Sequence, residues 1–262
     1  MPGRSALKKS LEIVIPVLNE EKVLSASVGA LHHFLQGHLA DYDWAITIAD
    51  NGSTDMTGDI AKKLVDFYGG VKHTVLQKRG RGRALKQTWL ESSADIVGYM
   101  DVDLSTNLND LVPLVRAIDE DGYDVAIGSR LMKGSLVEGR TGGREFTSRT
   151  YNLIIRASFL VGFKDAQCGF KALNRRTADL LLPLVKDTGW FFDTELLILA
   201  EKNGFRIKEV PVRWYDDPDT RVDVMSTAIH DLTGLARLKL GGLRRASGAL
   251  AANRPGEPPA GL

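Results

Sequence analysis

Asp101 and Asp103 stand one residue apart at the end of a short apolar run, Ile96 to Met100. Residues two apart on an extended chain point the same way, so this spacing brings two carboxylates to one spot. Like charges held together call for a cation between them. Oxygen donors favour Mg²⁺ or Mn²⁺, and Mg²⁺ commonly sits between carboxylates and substrate phosphates. Asp50 follows a second apolar run, Trp44 to Ala49, where a carboxylate can accept hydrogen bonds from a base or a ribose. Arg79, Arg81 and Arg83 flank Gly80 and Gly82 just before a helical pattern. Guanidinium groups and a helix N-terminus both attract phosphate, so this run reads as a diphosphate contact. It is not a dinucleotide fingerprint, because Leu85 stands where the third glycine belongs and the run follows the third strand, not the first. Arg130, Arg144, Ser148 and Arg149 form a later basic group able to hold an anionic acceptor. The five histidines make no metal set, since His32 and His33 are adjacent and face different ways on a helix. Neither the P-loop pattern nor G-x-S-x-G is present, which argues against a P-loop kinase and an α/β-hydrolase.

The elements that must position these residues follow from hydrophobic periodicity. Glu12–Val17, Trp44–Ala49, His73–Leu76, Asp95–Met100 and Asp124–Ile127 read as strands. Helical spacing separates them: Val23 to Leu35, Ile60 to Tyr68, the stretch with Leu85, Trp89 and Leu90, and Asp110 to Ile118. Asn19 is expected to cap the first helix, and Ser53 or Thr54 the second. Alternating strands and helices predict an α/β fold with a doubly wound, mostly parallel sheet and flanking helices. Ligands bind such sheets outside the carboxyl ends of the strands, and Asn19, Asp50, Arg79–Arg83 and Asp101–Asp103 all fall there. The second half is less regular. Gly134–Arg149 reads as a loop; Arg149–Leu160, Ala178–Val185 and Asp193–Asn203 read as helices and Arg206–Trp214 as a strand.

The 262 residues suit one catalytic domain, 1–225, followed by an amphipathic and basic segment with a Pro/Gly-rich tail, 226–262. A net charge of +1 supplies no global pull toward nucleic acid or membrane, so no nucleic-acid partner is expected and any membrane attraction is local. Cys168, the single cysteine, excludes an intrachain disulfide and fits a reducing compartment. Nothing approaches the ~20 apolar residues of a spanning helix. The apolar run Leu11–Val17 is too short for a signal peptide and is ended by Asn19, Glu20 and Glu21. The expectation is a cytoplasmic protein, peripheral at the inner face of the membrane. Ser226–Arg245, apolar and basic by turns, could meet a membrane surface, a membrane-protein partner or its own domain; Gly234, Gly241 and Gly242 interrupt its helical pattern.

The ordered motifs resemble those of family-2 glycosyltransferases. Ile13-Val14-Ile15-Pro16-Val17-Leu18-Asn19-Glu20-Glu21, Asp50-Asn51-Gly52-Ser53-Thr54-Asp55, Arg79-Gly80-Arg81-Gly82-Arg83-Ala84-Leu85 and Asp101-Val102-Asp103-Leu104 match in sequence order. Gly128-Ser129-Arg130, Asp165 to Lys171, Trp190 to Glu195 and Glu209-Val210-Pro211-Val212 are similar to the branch that glycosylates dolichyl or polyprenyl phosphate, above all the dolichyl-phosphate β-glucosyltransferases. The resemblance implies a GT-A fold and inverting transfer of a hexose from a nucleotide sugar, UDP-glucose before GDP-mannose, to a polyprenyl phosphate. It places Pro16, Leu18, Glu20 and Asp50 around the nucleoside, Asp101 and Asp103 at a Mg²⁺ or Mn²⁺ ion and the diphosphate, and Arg130, Arg144 and Ser148 at the acceptor phosphate. A phosphate acceptor is already ionised and needs no strong base; the catalytic burden falls on Asp101, Asp103 and Arg130. Mannose-transferring relatives carry a Gln where this chain has Ser105, and Arg221 falls near a Ser-Lys element whose surroundings here differ. A saccharide hydroxyl acceptor is the alternative, with Glu145, Asp193 or Glu195 as base. A nucleotidyltransferase is disfavoured because Pro16-Val17-Leu18-Asn19 replaces the Gly-rich loop such enzymes place after the first strand.

Overall fold

A computed structural model describes residues 8–215 and 224–253. The alternating first half folds as its periodicity predicts. Strands β1 (Ser10–Val17), β2 (Asp43–Asp50), β3 (Val71–Val75) and β4 (Ile96–Met100) alternate with helices α1 (Leu24–His38), α2 (Thr57–Phe67) and α3 (Arg81–Glu91). Then follow α4 (Leu111–Asp119), β5 (Val125–Ser129), β6 (Leu136–Glu138), α5 (Gly142–Phe159), β7 (Phe170–Asn174), α6 (Arg175–Leu181), α7 (Phe192–Lys202), β8 (Ile207–Pro211), β9 (Arg213–Tyr215), α8 (Val224–Arg237) and α9 (Leu243–Ala252).

The main sheet has seven strands in the order β3-β2-β1-β4-β7-β5-β8. All neighbours are parallel except β7, which runs antiparallel to both β4 and β5. Apolar residues on its two faces form two separate cores. One gathers around Trp89, Tyr99, Phe191 and Phe192; the other gathers around Ile13, Ile15, Leu31 and Phe170. The reversed strand matters for the site. With Met100 registered against Phe170, the segment entering β7 lies beside the carboxyl end of β4.

Four sequence expectations are corrected. Asn19 does not cap α1: it adopts the left-handed conformation (φ 57°), and its Oδ1 accepts from Thr54 N at 2.8 Å, tying two loops together. Ser53 and Thr54 do not cap α2; Asp55 Oδ1 accepts from Thr57 N at 2.9 Å at its first turn. The expected strand Arg206–Trp214 breaks at Val212, so β8 stays in the main sheet and β9 pairs with β6. The expected loop up to Arg149 is helical from Gly142, and Glu145 in the first turn suits the positive helix N-terminus. Arg144 and Ser148 therefore sit on a helix, one turn apart, where residues four apart share a face. Ser226–Arg245 divides at Gly241 (φ 113°) into two helices. Leu235, Leu238 and Leu250 join the core with at most 6% exposure, so the segment lays one face on the sheet's helices. Arg221 and the tail beyond Asn253 lie outside the described residues.

Candidate active site

Parallel pairing sends the carboxyl ends of β1, β2, β3 and β4 to one edge, and hydrogen bonds join the loops there. Asn19 N donates to Ser53 Oγ (3.0 Å), and Glu20 N to Thr57 Oγ1 (2.8 Å). Asn51 Oδ1 accepts from Gly80 N (2.7 Å), and Arg79 donates to the Gly52 carbonyl (3.1 Å). Asp50 is buried, and its Oδ1 accepts from Ser53 N at 2.8 Å. Its other oxygen lies 3.8 Å from His73 Nε2. Burial pulls the His73 pKa down despite the nearby Asp50 carboxylate. Pro16 closes the β1 side, while Leu18 is 36% exposed at the rim. Gly80 is needed as glycine: its φ is 149°, and a Cβ there would stand 2.5 Å from the Thr188 carbonyl oxygen.

Asp101 and Asp103 follow β4, but the strand ends at Met100, so they occupy a turn beyond the pleat. The strand-spacing argument for their convergence is thus replaced by a turn, which holds Asp103 by a hydrogen bond from Ser105 N (2.9 Å). Asp101 N donates to the Gly169 carbonyl at 3.2 Å. A Cβ at position 169 would overlap the Asp101 carboxylate, so glycine lets β7 approach that closely. Asp101 already faces a cation. Arg81, the first residue of α3, donates from Nη2 to Asp101 Oδ1 (2.8 Å) and from Nη1 to Asp193 Oδ2 (2.7 Å). Its guanidinium lies between the rings of Tyr99 (5.0 Å) and Trp190 (4.8 Å). Burial opposes this charge, yet Tyr99, Asp101 and Asp193 outweigh it and keep Arg81 protonated.

Behind Arg81, Asp193 Oδ1 accepts from Tyr99 Oη (2.7 Å) and pairs with fully buried Lys171 (3.1 Å). Burial alone would raise the Asp193 pKa; Lys171 and Arg81 hold it below the usual carboxylate range. Lys171 also donates to the Cys168 carbonyl at 2.6 Å. Sequence reading missed Lys171, Tyr99 and Trp190 as parts of this chain, although the motifs Gln167–Lys171 and Trp190–Glu195 carry two of them. Glu195, two residues on in α7, is 1% exposed and takes both Arg237 nitrogens at 2.9 and 2.8 Å, together with the amides of Lys186 and Asp187.

Arg130 follows β5, and its Nε and Nη2 grip Asp165 at 2.8 and 2.9 Å. Burial weighs against this pair, but Arg130 draws the Asp165 pKa down to about 2. The Trp214 ring of β9 lies 4.9 Å from the guanidinium. That ring closes against the loop after Asp103, where Tyr215 N donates to the Ser105 carbonyl (2.8 Å). On α5, Arg144 and Ser148 are half-buried, and Ser148 Oγ has no hydrogen-bond partner among the described residues. Asp101 and Asp103 are hard oxygen donors of the kind a divalent ion takes, and Asp101 already faces a cation in Arg81. Among the described residues no third His, Cys, Asp or Glu joins them in a metal-binding group, so any further ligands would come from outside the chain, such as a diphosphate.

A doubly wound sheet with its acidic turn and basic loop on the carboxyl edge is the arrangement of the GT-A fold. The solved structure of glucosyl-3-phosphoglycerate synthase from Mycobacterium tuberculosis, in complex with Mn²⁺, UDP-glucose and phosphoglyceric acid, superposes with a TM-score of 0.60 at 20% identity, covering 92% of this chain and 80% of that one. Residues 12–181 match the model of Glycosyl transferase family 2, and the chain belongs to that family. The glycosyltransferase AglD of Haloferax volcanii is 33% identical over 86% of this chain, which spans 35% of that protein's length. Mouse dolichyl-phosphate β-glucosyltransferase is 28% identical over 88% of this chain and 78% of its own length, and the yeast protein is 29% identical over 79% and 67%.

Proposed function

We propose that this glycosyltransferase transfers a hexose, with inversion, from a nucleotide-diphosphate sugar to a polyprenyl phosphate, with UDP-glucose the favoured donor. The relatives named dolichyl-phosphate β-glucosyltransferases support the sugar and the acceptor class. The observation that carries the acceptor reading is the state of the carboxylates. A hydroxyl acceptor needs a base, but Asp193 is locked between Lys171 and Arg81, and Glu195 is locked by Arg237. Both are buried and engaged by cations, and the Asp193 pKa is held below the usual carboxylate range, so neither carboxylate is placed to work as a base. An acceptor that arrives ionised avoids the need. Glu145 stays closest to solvent of the three and is the base a hydroxyl acceptor would use.

In this reading Pro16, Leu18, Glu20 and Asp50 surround the nucleoside, and Arg81 and Asp101 face the diphosphate. Asp101 and Asp103 would hold Mg²⁺ or Mn²⁺, which when bound would supply positive charge against the leaving diphosphate. Arg144 and Ser148 orient the acceptor phosphate. Arg130, braced by Asp165, fixes the wall beside it and adds positive potential. The acceptor's lipid chain calls for a peripheral position at a membrane face. Among the described residues no helix is long and apolar enough to cross a membrane. The outer face of α5 supports surface contact instead: Phe146, Leu153 and Leu160 are 63–82% exposed, alongside exposed Arg149 and Arg156. Leu240, 85% exposed, projects nearby with Lys239 and Arg244. Binding to anionic vesicles that Leu160→Asp leaves unweakened would count against this face.

The test of the whole reading uses purified protein, Mg²⁺ or Mn²⁺, a short polyprenyl phosphate and a panel of radiolabelled nucleotide sugars. The expected result is organic-phase label from UDP-glucose, lost with EDTA and with Asp103→Ala. Donor hydrolysis without lipid-phase label would move the acceptor to a hydroxyl.

A further inference from the structure

Four buried or half-buried charges form one neutral row: Lys171, Asp193, Arg81 and Asp101. The two ends differ. Lys171 and Asp193 are 0% and 4% exposed at the side chain, while Asp101 is 31% exposed. Asp193 is thus a fixed anchor with two cations and a tyrosine on it, whereas Asp101 is the one member that solvent and ligands can reach. Arg81 spans the two. Its planar fork gives one nitrogen to each carboxylate, and two aromatic rings confine its plane.

We propose that Arg81 is a placeholder cation: it neutralises Asp101 while the donor site is empty, and when nucleotide diphosphate enters with its divalent ion it yields Asp101 to the ion and turns the same nitrogen to the diphosphate, pivoting on Asp193. This rests on the metal-diphosphate reading of Asp101 and assigns Asp193 as a positioning residue that acts through Arg81. The physical argument is one of competition. A divalent ion alone must displace a charge-assisted hydrogen bond from Asp101 and strand the guanidinium nitrogen in a half-buried site. An ion arriving with a diphosphate brings the new acceptor for that nitrogen. Ion and nucleotide therefore bind cooperatively, and the coupling is reciprocal. Lys171, paired with Asp193 at 3.1 Å, holds the pivot in place while the other nitrogen of Arg81 turns.

The scheme makes a prediction of opposite sign for two ligands, which a merely structural role of Arg81 does not. Mn²⁺ binding is titrated by the loss of its free electron paramagnetic resonance signal, with and without UDP. Arg81→Met keeps the length and the ring contacts but removes the competing charge. Mn²⁺ alone then binds about tenfold tighter, while UDP at saturating Mn²⁺ binds about tenfold weaker. Asp193→Asn keeps Arg81 but frees its pivot, so UDP affinity falls and the Mn²⁺–UDP coupling shrinks. Should Arg81→Met fold poorly, Arg81→Met/Asp193→Asn removes one charge of each sign and carries the same two expectations. Mn²⁺ affinity that is unchanged or weaker without Arg81 overturns the placeholder. Asp101→Asn separates this from the underlying reading: if it leaves Mn²⁺ binding intact, the ion is not at Asp101 and the metal assignment itself fails.

Discussion

The edge proposed to hold the donor and the side proposed to hold the acceptor are built by different means. At the edge formed by β1 to β4, main-chain amides are tied by side chains from neighbouring loops: Asn19 with Ser53 and Thr54, Asn51 with Gly80. Around the nucleoside loops the backbone itself is the scaffold, with Arg81 and Asp101 held beside them by ion pairs, and glycines at 80 and 169 let segments approach closer than any side chain allows. Around β5, α5 and α8 the scaffold consists of ion pairs, Arg130 with Asp165 and Arg237 with Glu195. A donor with a fixed nucleotide shape suits rigid backbone, since orientation is gained before the reaction begins. The proposed acceptor, recognised by one phosphate on a long chain, suits positive charge braced from behind.

The sharpest way to break the donor side is one methyl group. Gly169→Ala places its Cβ on the Asp101 carboxylate and pushes that residue from its turn. We expect transfer to fall by about 10³-fold, the scale of losing a preorganised electrostatic contact, with little change in circular dichroism. Activity within a few fold of wild type would mean that the β4–β7 approach does not set the Asp101 position.

The acceptor side breaks through its braces. Asp165→Asn leaves the Arg130 charge buried without its counter-ion, and removing one partner of a buried pair costs about 3–5 kcal/mol. Urea unfolding measures it. The sign of the pH dependence follows from the depressed Asp165 pKa, about 2 in the folded protein. The stabilisation is present above the unfolded carboxylate value near 4 and is lost as pH falls toward 2. Asp165→Asn flattens that acid limb.

The two regions also differ in how far the sequence alone disclosed them. The donor edge was legible because its residues sit at or just past strand ends, and strand periodicity with parallel winding puts strand ends together. Asp50, Arg81 and Asp101 needed only their positions in the chain. Lys171 and Asp193 did not show themselves as partners of Arg81, since their meeting depends on β7 running backwards. Five residues, Phe170 to Asn174, carry no mark of direction. The start of α5 was hidden by Gly142 and Gly143, which read as loop until Thr141 and Glu145 are seen at its N-terminus. Ion pairs across helices, such as Arg237 with Glu195, have no period and become visible only in three dimensions.

A smaller effect tests how α8 packs against the sheet's loops. Asp231 is 1% exposed, accepts from Gln167 Nε2 at 2.9 Å, and burial pushes its pKa up to about 6. A carboxyl raised in the folded state favours the protein while protonated, so its contribution is lost as pH rises from about 4 through 6. Asp231→Asn, neutral at every pH, should be more stable than wild type by about 1–2 kcal/mol at pH 7.5 and equal to it near pH 4. Thermal melts at the two pH values decide; a variant less stable at pH 7.5 would mean that the ionised form is the one the fold prefers.

The last comparison separates the regions within one assay. Arg144 lies on α5, a turn before Ser148, and none of the donor-edge loops is built on that helix. If it holds the acceptor phosphate, Arg144→Ala raises the KM for polyprenyl phosphate about tenfold, the loss of roughly one charged hydrogen bond, while the KM for the nucleotide sugar stays put. Arg81→Met gives the mirror image, with donor KM raised and acceptor KM unchanged. The pair is stronger evidence than either alone, because a general loss of folding moves both constants together. Should Arg144→Ala alter the donor constant and spare the acceptor, α5 would be part of the nucleotide site, and the lipid phosphate would have to be held by Arg130 alone.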